Sequence, residues 1–264
     1  MANNSDTWFH DSIKLLTYNR NQRVWSIIVT IFGDLAGTPG DRISGAALSR
    51  ITEPMSIKPE AMRVALHRLR NDDWIDSHKE GRSSFYGLTR FGLEQSTAAR
   101  PRIYAREVDL PSQWQLCALE PGGGPKGQRA RDMRHRGFVA VLPGLFLGPV
   151  GAAALPDSLV FHGAAQEIPA WVQEKIATPE ITQAYGDLER ALDRFSVSLL
   201  DAPALSPHQV ATLRSIIVHI WRRALLSHPD LPQAFFGEGW RGGACRIKVM
   251  DVLDRLGRPQ AAQL

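Results

Sequence analysis

Between Ile43 and Thr89 the chain carries two short amphipathic segments separated by a tight break, then two short segments of strand-forming residues. Ser44 can cap a helix whose apolar side is Ala47, Leu48 and Ile51, and Glu53-Pro54 ends it. Met55 to Lys58 form the turn, and Pro59 starts the next helix, where a missing N–H costs nothing. In that helix Met62, Ala65, Leu66 and Leu69 fall at i, i+3, i+4 and i+7, so one face is apolar. Trp74 to Lys79 and Ser83 to Leu88 read as two strands joined at Glu80-Gly81-Arg82. Helix, turn, helix and basic-tipped hairpin in this order predict a winged helix-turn-helix.

The outward face of the second helix decides what such a unit can do. Glu60, Arg63, Val64, His67, Arg68 and Asn71 lie opposite the apolar stripe, which is the composition a helix needs in a DNA major groove. Arg63 is the candidate for reading guanine, with His67 and Arg68 beside it and Lys58 and Val64 on the same surface. Lys79 and Arg82 flank the wing tip and, with Arg90, are candidates for phosphate contacts. The competing reading is a solvated charged helix whose cations pair with Glu60, Asp72 or Asp73. The ordered set of elements favours DNA.

Charge is distributed accordingly. The net charge is +4, and residues 1–106 hold 15 Lys/Arg against 11 Asp/Glu, while residues 107–264 hold 16 of each. The whole excess sits in the part expected to meet phosphates. Cys117 and Cys245 do not make a disulfide framework, and reduced thiols are expected. The polar start, Met1 to Trp8, lacks a signal-peptide core, and the apolar stretch Val141–Leu155 is broken by Pro143, Gly144, Gly148, Pro149 and Gly151. A cytoplasmic protein with no membrane partner is expected.

The fold class expected is α+β multidomain. Residues 1–99 are read as the winged helix, residues 100–165 as a linker and a small ferredoxin-like domain, and residues 166–264 as a C-terminal helical domain. Arg20–Gly37 is the first long helix, preceded by a short one over Asp6–Tyr18. After a helix from Thr89 to Gln95, Arg100 to Arg106 reads as a basic linker. Strands are expected at Trp114–Leu119, Phe138–Leu142, Leu145–Leu147 and Leu159–His162, with a helix at Gln128–Arg136. Helices follow at Trp171–Ala177, Glu180–Leu200, Pro207–Ser227 and Ala244–Leu256.

Other constellations are less specific. The loop Gly122 to Gly127 lacks the Gly-Lys-Ser/Thr ending of a phosphate loop and reads as a turn. The arginines after it, Arg129, Arg131, Arg134 and Arg136, can bind an anionic ligand or a DNA backbone, or form a solvated face. His219, Arg222, Arg223 and Trp240 are candidates for an effector pocket together with Arg129 and Arg134, against the reading that Trp221 and Trp240 fill a core. The eight histidines show no metal-ligand spacing, and no nucleophile elbow or carboxylate pair is evident. No catalytic residue, metal or cofactor is expected.

Gly81-Arg82-Ser83-Ser84-Phe85-Tyr86-Gly87-Leu88-Thr89, then Arg102-Ile103-Tyr104, resembles the PaaX family of phenylacetic-acid catabolism repressors. His219-x-Trp221-Arg222-Arg223-x-x-Leu226, Pro229-x-Leu231-Pro232 and Trp240-x-Gly242 are similar to the final domain of the same family. The resemblance implies a homodimeric, non-enzymatic repressor of palindromic operator DNA, released by an aryl-acyl-CoA such as phenylacetyl-CoA. It also implies a middle domain similar to a CRISPR-associated nuclease; here the first strand leads to Glu120 rather than a metal-holding aspartate. The chain departs from the family pattern at Lys58, where a small capping residue is usual, and at Gly87, where a basic residue is common. Phe235-Phe236-Gly237 stands in place of Leu-Leu-Pro. The alternative function is an acyl-CoA- or nucleotide-binding enzyme with an accessory winged helix, using the arginine-rich helix for phosphate and His219 as base.

Overall fold

The computed structural model describes residues 4–17, 23–107, 112–121, 127–164 and 167–264, and these divide into two compact units. Residues 122–126 of the glycine-rich loop, the linker stretch 108–111, and residues 18–22, where one expected N-terminal helix ends and the next begins, lie outside the described residues. The first unit comprises residues 1–106, 188–222 and 244–264. It opens with α1 (Asn4–Thr17) and α2 (Val24–Leu35). Ile27, Ile28, Ile31, Phe32 and Leu35 make α2 apolar on almost every side, and it is correspondingly buried.

The helix-turn-helix stands where the spacing places it. A two-residue strand, β1 (Ile43–Ser44), leads into α3 (Gly45–Thr52), whose Ser44 hydroxyl accepts from the Ala47 N–H at 3.0 Å. A 3-10 turn over Glu53–Met55 and a left-handed Ser56 redirect the chain into α4 (Pro59–Asn71). Met62, Ala65, Leu66 and Leu69 of α4 are buried with Ile27, Ile31, Leu48 and Ile51 in one core. The wing is β2 (Ile75–Glu80) and β3 (Ser83–Leu88), antiparallel from Ile75↔Leu88 to Glu80↔Ser83, with β1 on the other side of β3. Its two-residue turn has φ +58° at Gly81, the first central position, as a type II′ hairpin requires.

Thr89 caps α5 (Arg90–Tyr104), accepting from the Gly92 N–H at 3.0 Å. Residues 100–104, expected as linker, are the last turn of this helix despite Pro101. The reason is tertiary. Trp221 Nε1 donates to the Ile103 carbonyl at 2.8 Å, and Arg246 Nη1 donates to the carbonyls of Arg102 and Ala105 at 2.8 and 2.9 Å. These side chains satisfy helix-end acceptors that would otherwise be left open.

The second unit comprises residues 107–187 and 223–243. Its four-stranded antiparallel sheet is built from β4 (Gln113–Ala118), β5 (Val139–Leu142), β6 (Leu145–Pro149) and β7 (Leu159–Ala164), in the order β5-β6-β4-β7. Helix α6 (Gln128–His135) connects β4 to β5. The connection from β6 to β7, residues 150–158, is irregular, and α7 (Ala170–Ile176) follows the last strand. One sheet face packs Cys117 and Phe146 against Met133 of α6, and the other packs Val141 and Leu147 against Val172, Ile176, Leu231 and Phe235.

The remaining helices are α8 (Pro179–Ser198), α9 (Pro207–Leu225) and α10 (Gly242–Leu256). Within the first unit α9 is nearly all buried from Ala211 to Trp221. The Thr212 hydroxyl donates to the Ile51 carbonyl at 2.9 Å, which ties α9 to α3. The molecule is therefore an α+β protein with ten described α-helices and two small antiparallel sheets. No described helix is long and apolar enough to cross a membrane.

Candidate nucleic-acid interface

The outward surface of α4 is organised around a central row. Glu60, Val64, His67 and Asn71 fall at i, i+4, i+7 and i+11 and are all exposed, with Val64 70% accessible. Arg63 and Arg68 flank the row on opposite sides. Such a surface offers hydrogen-bonding groups for base edges and one methyl-bearing side chain for contact with a thymine methyl.

The two arginines are held differently. Arg63 Nη2 donates to Glu60 Oε1 at 3.0 Å, with both side chains more than two-thirds exposed. A pair so exposed is worth about 0–1 kcal/mol, so Arg63 can leave it for a better acceptor. Arg68 has its guanidinium over the Trp25 ring at 5.1 Å, and its Nε lies 3.4 Å from Asp72 Oδ2. Stacking on α2 fixes the direction in which Arg68 points. Asn71 Nδ2 lies 3.4 Å from His67 Nδ1, which steadies the imidazole.

Around this helix stand cations with no acidic partner among the described residues. Lys58 is the N-cap of α4, but its side chain makes no capping bond and is exposed beside the open N–H groups of the first turn. Lys79 and Arg82 are exposed at the wing tip. Arg90 is engaged by Glu94 at 2.9 Å. Arg50, exposed on α3 and also unpaired, was not singled out from the sequence. Its signal was available, since the first helix of such a motif crosses the DNA backbone.

Gly87 has a structural cause. A Cβ there would meet the Asp41 carbonyl oxygen at 2.9 Å and Arg42 Cγ at 3.2 Å. Arg42 lies over the glycine and grips Asp76, its cross-strand neighbour in β2, through Nη1 at 2.5 Å and Nη2 at 3.2 Å. A basic group thus covers this part of the wing from the residue just before β1 instead of from β3.

The candidate effector residues fall in separate places. His219 and Arg222 belong to the first unit, and Arg129, Arg134, Arg223 and Trp240 to the second. His219 is buried, its Nδ1 3.3 Å from Thr30 Oγ1, while the Thr30 hydroxyl also reaches the Ser26 carbonyl at 3.0 Å. Arg222 Nη2 donates to the Ser26 hydroxyl and carbonyl at 2.8 and 3.2 Å. Both side chains engage α2. Trp240 joins an aromatic group: Phe236 stacked at 4.5 Å, Tyr185 at 4.6 Å and His228 at 5.1 Å. The Tyr185 hydroxyl lies 2.8 Å from His228 Nε2. Arg129 and Arg134 sit on α6, across the sheet from the cluster that includes Trp240, and Arg223 is exposed.

Comparison with known proteins resolves which lineage carries this arrangement. The PaaX-like protein family matches residues 23–92, and the PaaX-like protein C-terminal domain matches residues 177–263. The chain belongs to the PaaX-like family. It is 25% identical over 255 residues to the transcriptional repressor PaaX of Escherichia coli (strain K12), spanning 88% of this chain and 79% of that protein. An uncharacterized protein from Mycobacterium tuberculosis shares the fold, with a TM-score of 0.50 and 17% identity over 86% of this chain and 92% of the other. The first PaaX-like match contains α2 through the wing, and the second contains α8 to α10. Within the first unit these two matched segments are joined by hydrogen bonds from Thr212 to Ile51, buried, and from Arg222 to Ser26, part-buried.

Proposed function

We propose that the chain is a ligand-responsive, non-enzymatic transcriptional repressor that binds double-stranded operator DNA through α4 and the wing. The observation that carries this reading is the outward face of α4, where Arg63, Val64, His67 and Arg68 are exposed between Lys58, Lys79 and Arg82, cations without an acidic partner among the described residues. The name of the E. coli relative supports the same reading. Arg63, Val64, His67 and Arg68 contact bases, while Lys58, Lys79 and Arg82 hold phosphates. Arg90 is a weaker phosphate candidate because Glu94 holds it. The protein acts in the cytoplasm as a homodimer, which a palindromic operator requires.

The controlled operon is one for aromatic-acid catabolism, and the releasing ligand an aryl-acyl-CoA such as phenylacetyl-CoA. The aromatic group around Trp240 suits the aryl part of that ligand. The second unit is ferredoxin-like in strand order, with the irregular segment 150–158 in place of a second crossover helix. His219, the base that an enzyme would need, faces Thr30 in a helix–helix contact instead.

Mobility-shift titration of the full chain with its own upstream DNA, repeated with phenylacetyl-CoA, tests the reading. A retarded complex that the ligand dissolves is the expected result. A chain that retards no upstream fragment overturns it.

A further inference from the structure

Helix α6 concentrates positive charge on a unit that is otherwise acidic. The second unit carries 8 Lys/Arg and 11 Asp/Glu in sequence, yet residues 128–136 hold four of those arginines and one aspartate. Outside this stretch the unit has 4 basic and 10 acidic residues. Elsewhere in the chain many arginines face a carboxylate, as at Arg42, Arg106 and Arg214. The four on and beside α6 have none among the described residues. The Arg129 side chain makes no hydrogen bond among the described residues, Arg131 Nη2 meets the Gln128 amide oxygen at 2.8 Å, and Arg134 Nε meets the Ala130 carbonyl at 3.1 Å. Arg136 Nη1 lies 3.2 Å from the Ala153 carbonyl. The lone acid, Asp132, accepts from Gln128 Nε2 at 2.8 Å.

The helix is also firmly mounted. Ala130 and Met133 seat it on Cys117, Phe138 and Phe146, with Arg131, Arg134 and Arg136 exposed and Arg129 half-buried. Clustered, unneutralised arginines on a rigid support form a surface for a polyanion with repeated charges. We propose that α6 is a second DNA contact, which grips backbone phosphates without reading sequence. This rests on the DNA-binding function proposed above. Phosphates recur every ~3.4 Å of axis along each strand, so Arg131 and Arg134, one turn apart on α6, can take neighbouring ones, with Arg129 reaching from the other side of the helix.

The test compares the full chain with the variant R129Q/R131Q/R134Q, leaving Arg136 on its carbonyls. Both are titrated on an operator duplex and on a scrambled duplex of equal length across a range of KCl. Each lost phosphate contact lowers the salt slope by about 0.9, so a slope smaller by roughly 1–3 on both duplexes is expected. The ratio of operator to scrambled affinity stays unchanged, and R129K/R131K/R134K restores the slope. Unchanged slopes in the glutamine variant overturn the proposal, as does a variant that keeps its slopes and loses only its response to phenylacetyl-CoA. A circular-dichroism melt of each variant checks folding, and a lysine variant that melts normally yet fails to restore the slope also overturns it. Failure of the wild-type chain to bind either duplex removes the parent reading as well. Wild-type binding that depends on Arg63 but not on α6 removes this one alone.

Discussion

Arg214 of α9 holds Asp34 of α2 through two parallel bonds, Nε to Oδ2 and Nη2 to Oδ1, each 3.0 Å long, with the side chains only 6% and 1% exposed. Every remaining group in the pair is used. Arg214 Nη1 donates to the carbonyls of Leu253 and Gly257 at 2.8 Å each, and the Tyr104 hydroxyl donates to Asp34 Oδ1 at 3.0 Å. Burial, and then the Asp34 carboxylate, hold the Tyr104 phenol well above the usual tyrosine range, so it remains a donor. The network joins α2, α5, α9 and the end of α10, and so joins the helix packed behind α4 to the C-terminal helices.

Replacing Arg214 by methionine strands a buried carboxylate. A loss of about 3–5 kcal/mol is expected for breaking such a pair from one side, against a much smaller loss when Asp34 becomes leucine at the same time. Urea unfolding of the two variants measures the difference. Equal losses in the single and double variants would show that the pair does not carry the contact.

Gly92 makes a second sharp expectation. A Cβ there would fall onto the Trp74 carbonyl, a backbone atom that also accepts from the Thr89 N–H at 3.1 Å. Gly92→Ala must therefore push α5 away from the start of the wing. The expected cost is about 1–3 kcal/mol, as for other forced insertions into packed structure. A thermal melt within experimental error of wild type would contradict that contact.

What the sequence disclosed and what it concealed differ by range. Ser44, Pro59, the apolar positions of α4 and Gly81 act through neighbours a few residues away, so their pattern alone placed the helix-turn-helix and the wing. The exposed row on α4 was legible for the same reason, because burial of Met62, Ala65, Leu66 and Leu69 fixes what faces outward. Pro101 argued locally against helix, and only Trp221 and Arg246, more than a hundred residues on, reverse that argument. The Asp34–Arg214 pair spans 180 positions and has no local trace. His219 and Trp240 lie close in sequence yet belong to different units, so their proximity in the chain could not show which would share a site.

Lys248 of α10 lies 2.6 Å from Asp193 and 3.1 Å from Glu189 of α8. The hydrogen bond to Asp193 raises its pKa above the ordinary 10.5, with Glu189 adding to the effect against burial. A lysine whose folded value is raised contributes its full stability below the unfolded value and loses it as pH rises through the folded one. The stability advantage of wild type over Lys248→Met should hold near neutral pH and shrink above 10.5. Urea midpoints of both proteins across that range test this. An advantage that persists unchanged at the alkaline end rules the ion pairs out as its source. Partial exposure of the lysine keeps the expected effect small.

Arg63 and Arg68 should part company when each is truncated. Arg63 is held by the exposed Glu60 and by a long 3.5 Å bond from its Nε to the Pro59 carbonyl, both easily given up for a base edge, whereas Arg68 is stacked on Trp25 and braced by Asp72. Arg63→Ala is expected to weaken operator binding by about 1–3 kcal/mol and to relax discrimination at one base pair, leaving the unfolding midpoint unchanged. Arg68→Ala removes a stacked guanidinium from the α2–α4 contact, so it should lower folding stability by about 0.5–1 kcal/mol as well as operator affinity. Paired measurements of urea midpoint and of affinity for operator and scrambled duplexes separate the two. If Arg63→Ala keeps full discrimination while Arg68→Ala loses it without loss of stability, the reading arginine is the stacked one and the assignment must be exchanged.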